Sequence, residues 1–226
     1  MAPPESRGPL LRERLRTARL YFVCEAMPGG RDPESLLQAA LGSGVDVVQL
    51  REKELGRDEI VRAALTFRRL CDTHSALFIV NDDPWLARAC DADGVHLGQD
   101  DMPVGEARGI LGPDMIIGLS THSEEQLAAS KDVPVDYVSV GPIWETPTKA
   151  GRPGVGLGLV EHAAARAPHP FFAIGGVDPD NAGEVVTAGA RRLGVVRAIR
   201  DAEDPAAAAA ALRGALAAVG EAAPGA

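Results

Sequence analysis

One unit, repeated eight times, constrains this chain more than any other feature: a short run rich in β-branched residues, a turn, then an amphipathic or Ala-rich stretch closed by glycine. Alternation of this kind predicts parallel strands joined by helical crossovers. The strands are expected at residues 20–24, 45–50, 77–80, 94–97, 115–119, 137–140, 171–174 and 193–196. Helices are expected to begin near Pro33, Arg57, Pro84, Val104, Ser123, Gly158, Asp178 and Asp204. Asp32-Pro33-Glu34, Asp83-Pro84 and Asp204-Pro205 each set a capping carboxylate before a proline at the first helical position. Eight units of similar length within 226 residues favour one α/β domain closed as a (β/α)8 TIM barrel over an open doubly wound sheet.

The ends carry weaker signals. Residues 1–17 are expected to form an N-terminal extension, with a short helix over 10–15 covering the barrel bottom. Residues 18–220 form the barrel domain and 221–226 a frayed tail. The Ala-rich run 205–219 resembles low complexity, yet Leu212, Leu216 and Val219 share one face, so it reads as the last helix rather than a disordered tail.

Composition narrows the functions open to such a barrel. Hydrophobic residues make up 46% and aromatics 4%, so the core must be built from Val, Ile, Leu and Ala, as suits a parallel sheet covered by helices. A net charge of -9 argues against a nucleic-acid partner, which needs clustered Lys and Arg to displace phosphate counterions. An acidic barrel can still hold an anion where a few basic side chains and a metal converge. Cys24, Cys71 and Cys90 form no CxxC pair and meet no His at zinc spacing, so they read as reduced core residues. The charged start is not a secretory signal, and no run approaches the ~18–20 apolar residues that span a bilayer. A cytoplasmic protein with no membrane partner is expected, and a homo-oligomer is left open.

In a barrel the chemistry gathers at the C-terminal strand ends. After strand two the alternation of an extended segment sends Gln49, Arg51 and Lys53 to one side. Asn81-Asp82-Asp83 follows strand three, His96 to Asp101 strand four, Ser120-Thr121-His122 strand five, and Gly141 to Lys149 strand six. Carboxylates on neighbouring strands three and four, with no Cys or paired His, are hard oxygen ligands suited to Mg²⁺, and Asp82 with Asp101 is the candidate pair. Arg51, Lys53 and Lys149 around the same space suggest a bound pyrophosphate. Taken one at a time these charges read as solvated loop residues; on successive strand ends that reading weakens.

A second anion site is indicated by Gly175-Gly176 after strand seven and the segment after strand eight, where barrels commonly hold a phosphate. A lone Gly-Gly is as well explained by a tight turn. The glycine-rich stretch 151–158 matches neither a Rossmann nor a P-loop fingerprint; it is a flexible loop or a lid. Two phosphate sites in one pocket imply two phosphorylated small-molecule substrates.

The ordered set QLREK, NDD, GVHLGQDD, GPIWETPTK and AIGGV, running over nearly the whole chain, resembles thiamine-phosphate synthases. The resemblance implies a transferase of thiamine biosynthesis. It would couple 4-amino-2-methyl-5-(diphosphooxymethyl)pyrimidine to 4-methyl-5-(2-phosphooxyethyl)thiazole, or its carboxylated form, releasing pyrophosphate. Gln49, Arg51, Lys53, Asn81, Ser120 and Lys149 would bind the aminopyrimidine diphosphate, with Arg51, Lys53, Ser120 and Lys149 the catalytic group. Asp82 and Asp101 would hold Mg²⁺. Thr146, Thr148, Gly176, Val196 and Arg197 would bind the thiazole phosphate, the last two mainly through backbone amides. Arg197 stands where the family often has Ser, so its side chain either adds charge to the phosphate site or swings outward. His96 is a secondary candidate, as base or as orienting group. Rival readings are a barrel that tautomerises a thiazole phosphate with His96 or His122, and a non-catalytic phosphate-ligand-binding barrel.

Overall fold

A computed structural model describes residues 6–30, 32–146 and 153–218. The apolar runs become strands and the amphipathic stretches helices, in the order α1 (Gly8–Thr17), β1 (Leu20–Cys24), α2 (Glu34–Gly42), β2 (Val47–Leu50), α3 (Arg57–Thr73), β3 (Leu77–Asn81), α4 (Pro84–Ala89), β4 (Gly94–Leu97) and α5 (Val104–Leu111). The chain continues through β5 (Ile116–Thr121), α6 (Glu124–Ala129), β6 (Tyr137–Val140), α7 (Gly156–Arg166), β7 (Phe171–Ile174), α8 (Ala182–Thr187), β8 (Leu193–Val195), α9 (Arg197–Arg200) and α10 (Pro205–Ala217). All eight strands are parallel and sequential, and β8 pairs back onto β1 to close the barrel. Closure removes the open-sheet alternative.

Side-chain alternation divides the core into two layers. Leu20, Phe22, Val48, Leu50, Phe78, Val80, Ile117, Val138 and Val195 face outward into the helices. Tyr21, Val23, Val47, Leu77, Ile79, Ile116, Tyr137 and Phe172 fill the barrel interior with Leu11 and Leu15 of α1. α1 spans Gly8–Thr17, longer than the expected short helix over 10–15, and seals the end at which the strands begin.

Three acids standing just before even-numbered strands tie that end together. Asp46 Oδ2 accepts from the amides of Arg19 and Leu20 at 2.7 and 2.9 Å. Asp93 Oδ2 accepts from the Phe78 amide at 2.8 Å, and Asp136 Oδ2 from the Ile117 amide at 2.8 Å. Arg7, just before α1, and Arg12 within it reach Asp93 and Asp136 at 3.1 and 2.7 Å, which pins the helix across the opening.

Several boundaries depart from the sequence reading: β2 begins at Val47 rather than 45, and β5 runs to Thr121 rather than 119. α7 begins at Gly156, two residues early. α8 begins at Ala182, because Asp178 and Asn181 exchange side chain–backbone hydrogen bonds in a turn that delays the helix. The four-residue α9 after β8 carried no sequence signal.

Candidate active site

At the C-terminal end of the strands lies a cavity of about 380 Å³. Gln49, Arg51, Asn81, His96 and Ser120 from β2 to β5 line one side, while Gly175, Gly176, Val196 and Arg197, with Thr146, line the other. Lys53, Asp82 and Asp101 are not among the described residues lining it, but Arg51, which is, acts electrostatically on Asp82 together with Lys53. Thr148, Lys149 and the first part of the expected lid, 151–152, lie outside the described residues.

Gln49 and Arg51 reach the cavity on the alternation of β2, as expected. Lys53 does not follow that logic: the strand ends at Leu50, and the Glu52 carboxylate accepts from the amides of Lys53 and Glu54 at 2.7 and 2.8 Å, turning the chain. Lys53 is therefore an exposed turn residue whose charge, rather than its strand register, relates it to the site.

The neighbouring acids Asp82 and Asp83 have separate tasks. Asp83 caps α4 through the Leu86 amide at 2.9 Å and pairs with Arg57 at 3.0 Å. Asp82 adopts φ +65° at the end of β3, held there by its amide donating to the His96 carbonyl at 2.8 Å. Burial, and then the Asp101 carboxyl lying against it, push the Asp82 carboxyl up to about 6, with Lys53 and Arg51 pulling the other way. Asp101 in turn accepts from the Gly98 amide at 2.6 Å.

Two carboxyls pressed together, one of them inclined to retain a proton, are a donor set that a divalent cation would relieve. No group of three or more His, Cys, Asp or Glu gathers among the described residues. A two-carboxylate edge beside a cavity fits Mg²⁺, which completes its shell with water and phosphate oxygens, better than it fits an all-protein cage.

Below the cavity runs a polar chain through the apolar interior. Gln49 Nε2 donates to Tyr21 Oη at 2.8 Å, Tyr21 Oη meets Tyr137 Oη at 2.9 Å, and Tyr137 Oη meets His96 Nδ1 at 3.0 Å. His96 Nε2 then meets Ser120 Oγ at 3.0 Å, with Ser139 Oγ 3.4 Å away. Burial drives both phenols well above their ordinary range, so they remain protonated. Both ring nitrogens of His96 are thus engaged by hydroxyls, which favours an orienting role over that of general base. Tyr21, Tyr137 and Ser139 were missed in the sequence because they sit inside runs that read as apolar strand. Their inward register, shared with Gln49 and Ser120, was the available signal.

On the other side, Gly176 has φ +73°, and a Cβ there would lie 2.9 Å from Trp144 Cβ. The glycine therefore serves packing as well as access to the cavity. The segment after β6 is laid along the end of β7, with Ile143 and Trp144 amides donating to Ile174 and Gly175 carbonyls at 3.0 and 3.1 Å. This brings buried Thr146 to the cavity wall. Arg197 opens α9 with an exposed side chain that also lines the cavity.

A family model described as thiamine monophosphate synthase matches residues 20–199. A thiamine-phosphate synthase of Acidothermus cellulolyticus is 52% identical over 92% of this chain and 99% of its own length. One from Thermobifida fusca is 50% identical over 90% and 94%. Among solved structures, thiamine phosphate pyrophosphorylase from Pyrococcus furiosus superposes with a TM-score of 0.82 at 33% identity, covering 92% of this chain and 98% of that one.

Proposed function

The chain belongs to the thiamine monophosphate synthase family, a family of transferases, and from that membership we propose that its cavity joins an aminopyrimidine diphosphate to a thiazole phosphate and releases pyrophosphate. The observation that carries the reading is a single cavity with two unlike walls. One wall is built of Gln49, Arg51, Asn81 and Ser120 beside a carboxylate pair; the other is glycine backbone with Thr146, Val196 and Arg197. Such a pocket suits two phosphorylated partners held face to face.

Gln49, Asn81 and Ser120 bind the pyrimidine, and Arg51 and Lys53 lie toward its diphosphate. Thr146, Gly176, Val196 and Arg197 hold the thiazole phosphate, with Thr148 assigned to the same site, and Lys149 to the diphosphate, from the sequence alone. The bond from the pyrimidine methylene carbon to the diphosphate oxygen breaks, and its electron pair leaves with pyrophosphate. The thiazole nitrogen forms the new bond to that carbon. Negative charge grows on the leaving group, where Arg51, Lys53 and Lys149 lower its energy most. The attacking nitrogen carries no proton, so no general base is required. Holding the two partners in line contributes the rest.

Asp82 and Asp101 are the residues that would hold Mg²⁺. Bound there, the ion would neutralise part of the pyrophosphate charge.

The test is pyrophosphate release by purified protein, expected only when both substrates and Mg²⁺ are supplied. Binding of both compounds without release, across a range of metals and pH, would overturn the reading.

A further inference from the structure

We propose that Tyr137, which is not among the described residues lining the cavity, is a positioning residue. It sets the direction of the interior hydrogen-bond chain and so fixes which end of Gln49 and which atom of Ser120 face the substrate. The Gln49 amide donates to Tyr21 Oη. Each phenol keeps one hydrogen, because burial holds both in the neutral form. With the Gln49 nitrogen placed on Tyr21 Oη, one order gives both phenol hydrogens and the imidazole hydrogen an acceptor: Tyr21 donates to Tyr137, Tyr137 donates to His96 Nδ1, and Nε2 donates to Ser120 Oγ. The reverse order leaves a phenol hydrogen of Tyr21 buried without an acceptor, which is costly.

The consequence appears at the two ends. With one amide hydrogen held by Tyr21 and the nitrogen turned toward it, Gln49 keeps Oε1, an acceptor, for a ligand, and Ser120, already accepting from His96, presents its hydroxyl hydrogen. An acceptor and a donor on one wall match an amino group and a ring nitrogen of a heteroaromatic substrate, and they reject an oxo group at the amine position. The fold gives up a side chain to seat the phenol. A Cβ on Gly118 of β5 would lie 2.1 Å from the Tyr137 ring and 2.5 Å from its hydroxyl. Phe172 meets that ring edge-on at a centroid distance of 5.6 Å.

The identity of the ligand rests on the function proposed above; the order of the chain does not, and the ligand-free protein reports it. In ¹⁵N-histidine spectra, with His96 assigned by its absence in His96→Ala, the ring proton should sit on Nε2. The Nδ1 resonance should move in Tyr137→Phe and stay in place in Tyr21→Phe. A proton on Nδ1 in the unsubstituted protein, or an Nδ1 resonance indifferent to Tyr137→Phe, overturns the proposal.

Direct binding then tests the consequence. Both Tyr137→Phe and Tyr21→Phe should weaken the aminopyrimidine diphosphate about tenfold, the scale of one misplaced hydrogen bond, while the thiazole phosphate Kd stays unchanged. Discrimination against the oxo analogue should shrink in parallel. Equal weakening of both ligands, in step with a falling Tm, means a packing role only and overturns the proposal. Should Tyr137→Phe fail to fold, Tyr21→Phe carries the binding test alone. A wild-type protein that binds but never turns over removes the synthase reading and leaves the result on chain order standing.

Discussion

At Asp82 three unfavourable conditions coincide: a left-handed backbone at φ +65°, partial burial, and a second carboxyl alongside. Such strain is retained where a site uses it. Because the folded carboxyl titrates near 6, above its ordinary value, folding favours the protonated form; its contribution to stability is present in acid and is lost as pH rises through 6. Without Mg²⁺, Asp82→Asn should therefore melt higher than the parent at pH 7, and the difference should vanish toward pH 4. Thermal melts across that range check it, and a variant less stable at pH 7 would contradict it. The same variant should need roughly tenfold more Mg²⁺ for turnover, the scale of losing one charged ligand. The sequence already separated Asp82 from Asp83, since a carboxylate before proline is a helix cap. It could not show that Asp82 and Asp101 press on each other, because that contact depends on loops from two strands meeting in space.

Among the elements, the strands and two of the three Asp-Pro caps were legible and the bracketing acids were not. At α2 the helix starts at Glu34 with Pro33 in the N-cap position and no side-chain cap, so Asp32 stands one residue ahead of the cap position expected of it. Asp83 and Asp204 cap α4 and α10 as their Asp-Pro signals indicated, accepting from Leu86 and Ala207 amides at 2.9 and 3.0 Å. Asp46 fell inside the expected strand 45–50, and Asp93 and Asp136 were given no role in the sequence, yet each spans from the start of one strand to the preceding odd-numbered strand and collects an arginine. Asp136 holds the Ile117 amide, Arg12 and Arg108, with only 10% of its side chain exposed. Removing one partner of so enclosed a set leaves guanidinium charge poorly matched. Asp136→Ala should lose about 3–5 kcal/mol of unfolding free energy in urea titration. The cavity lies at the opposite end of the strands, so ligand Kd values should hold. A loss under about 1 kcal/mol would class the set with exposed pairs.

For the molecule as a whole, α1 is part of the barrel interior. Leu11 and Leu15 are each 3% exposed against Tyr21, Val47, Leu77 and Ile116. Deleting residues 1–17 uncovers them at roughly 1.5–3 kcal/mol per side chain and strips Arg7 and Arg12 from Asp93 and Asp136. The truncated chain should fall in Tm by about 10 °C or more at the few degrees per kcal/mol typical of this size. A shift within about 2 °C would make the segment a detachable extension. The sequence by itself determined the number, order and parallel direction of the strands, most helix starts and the residues at the strand ends. Each of these follows from local periodicity or from a cap and its proline. Tertiary structure alone decided that Tyr21, Tyr137, His96 and Ser120 form one chain, that Gly118 and Gly176 make room for Tyr137 and Trp144, and that Lys53 leaves the register of Gln49 and Arg51. Those outcomes depend on which strand lies across the barrel from which. Alternation along one strand fixes the side a residue faces, and only closure fixes what it meets there.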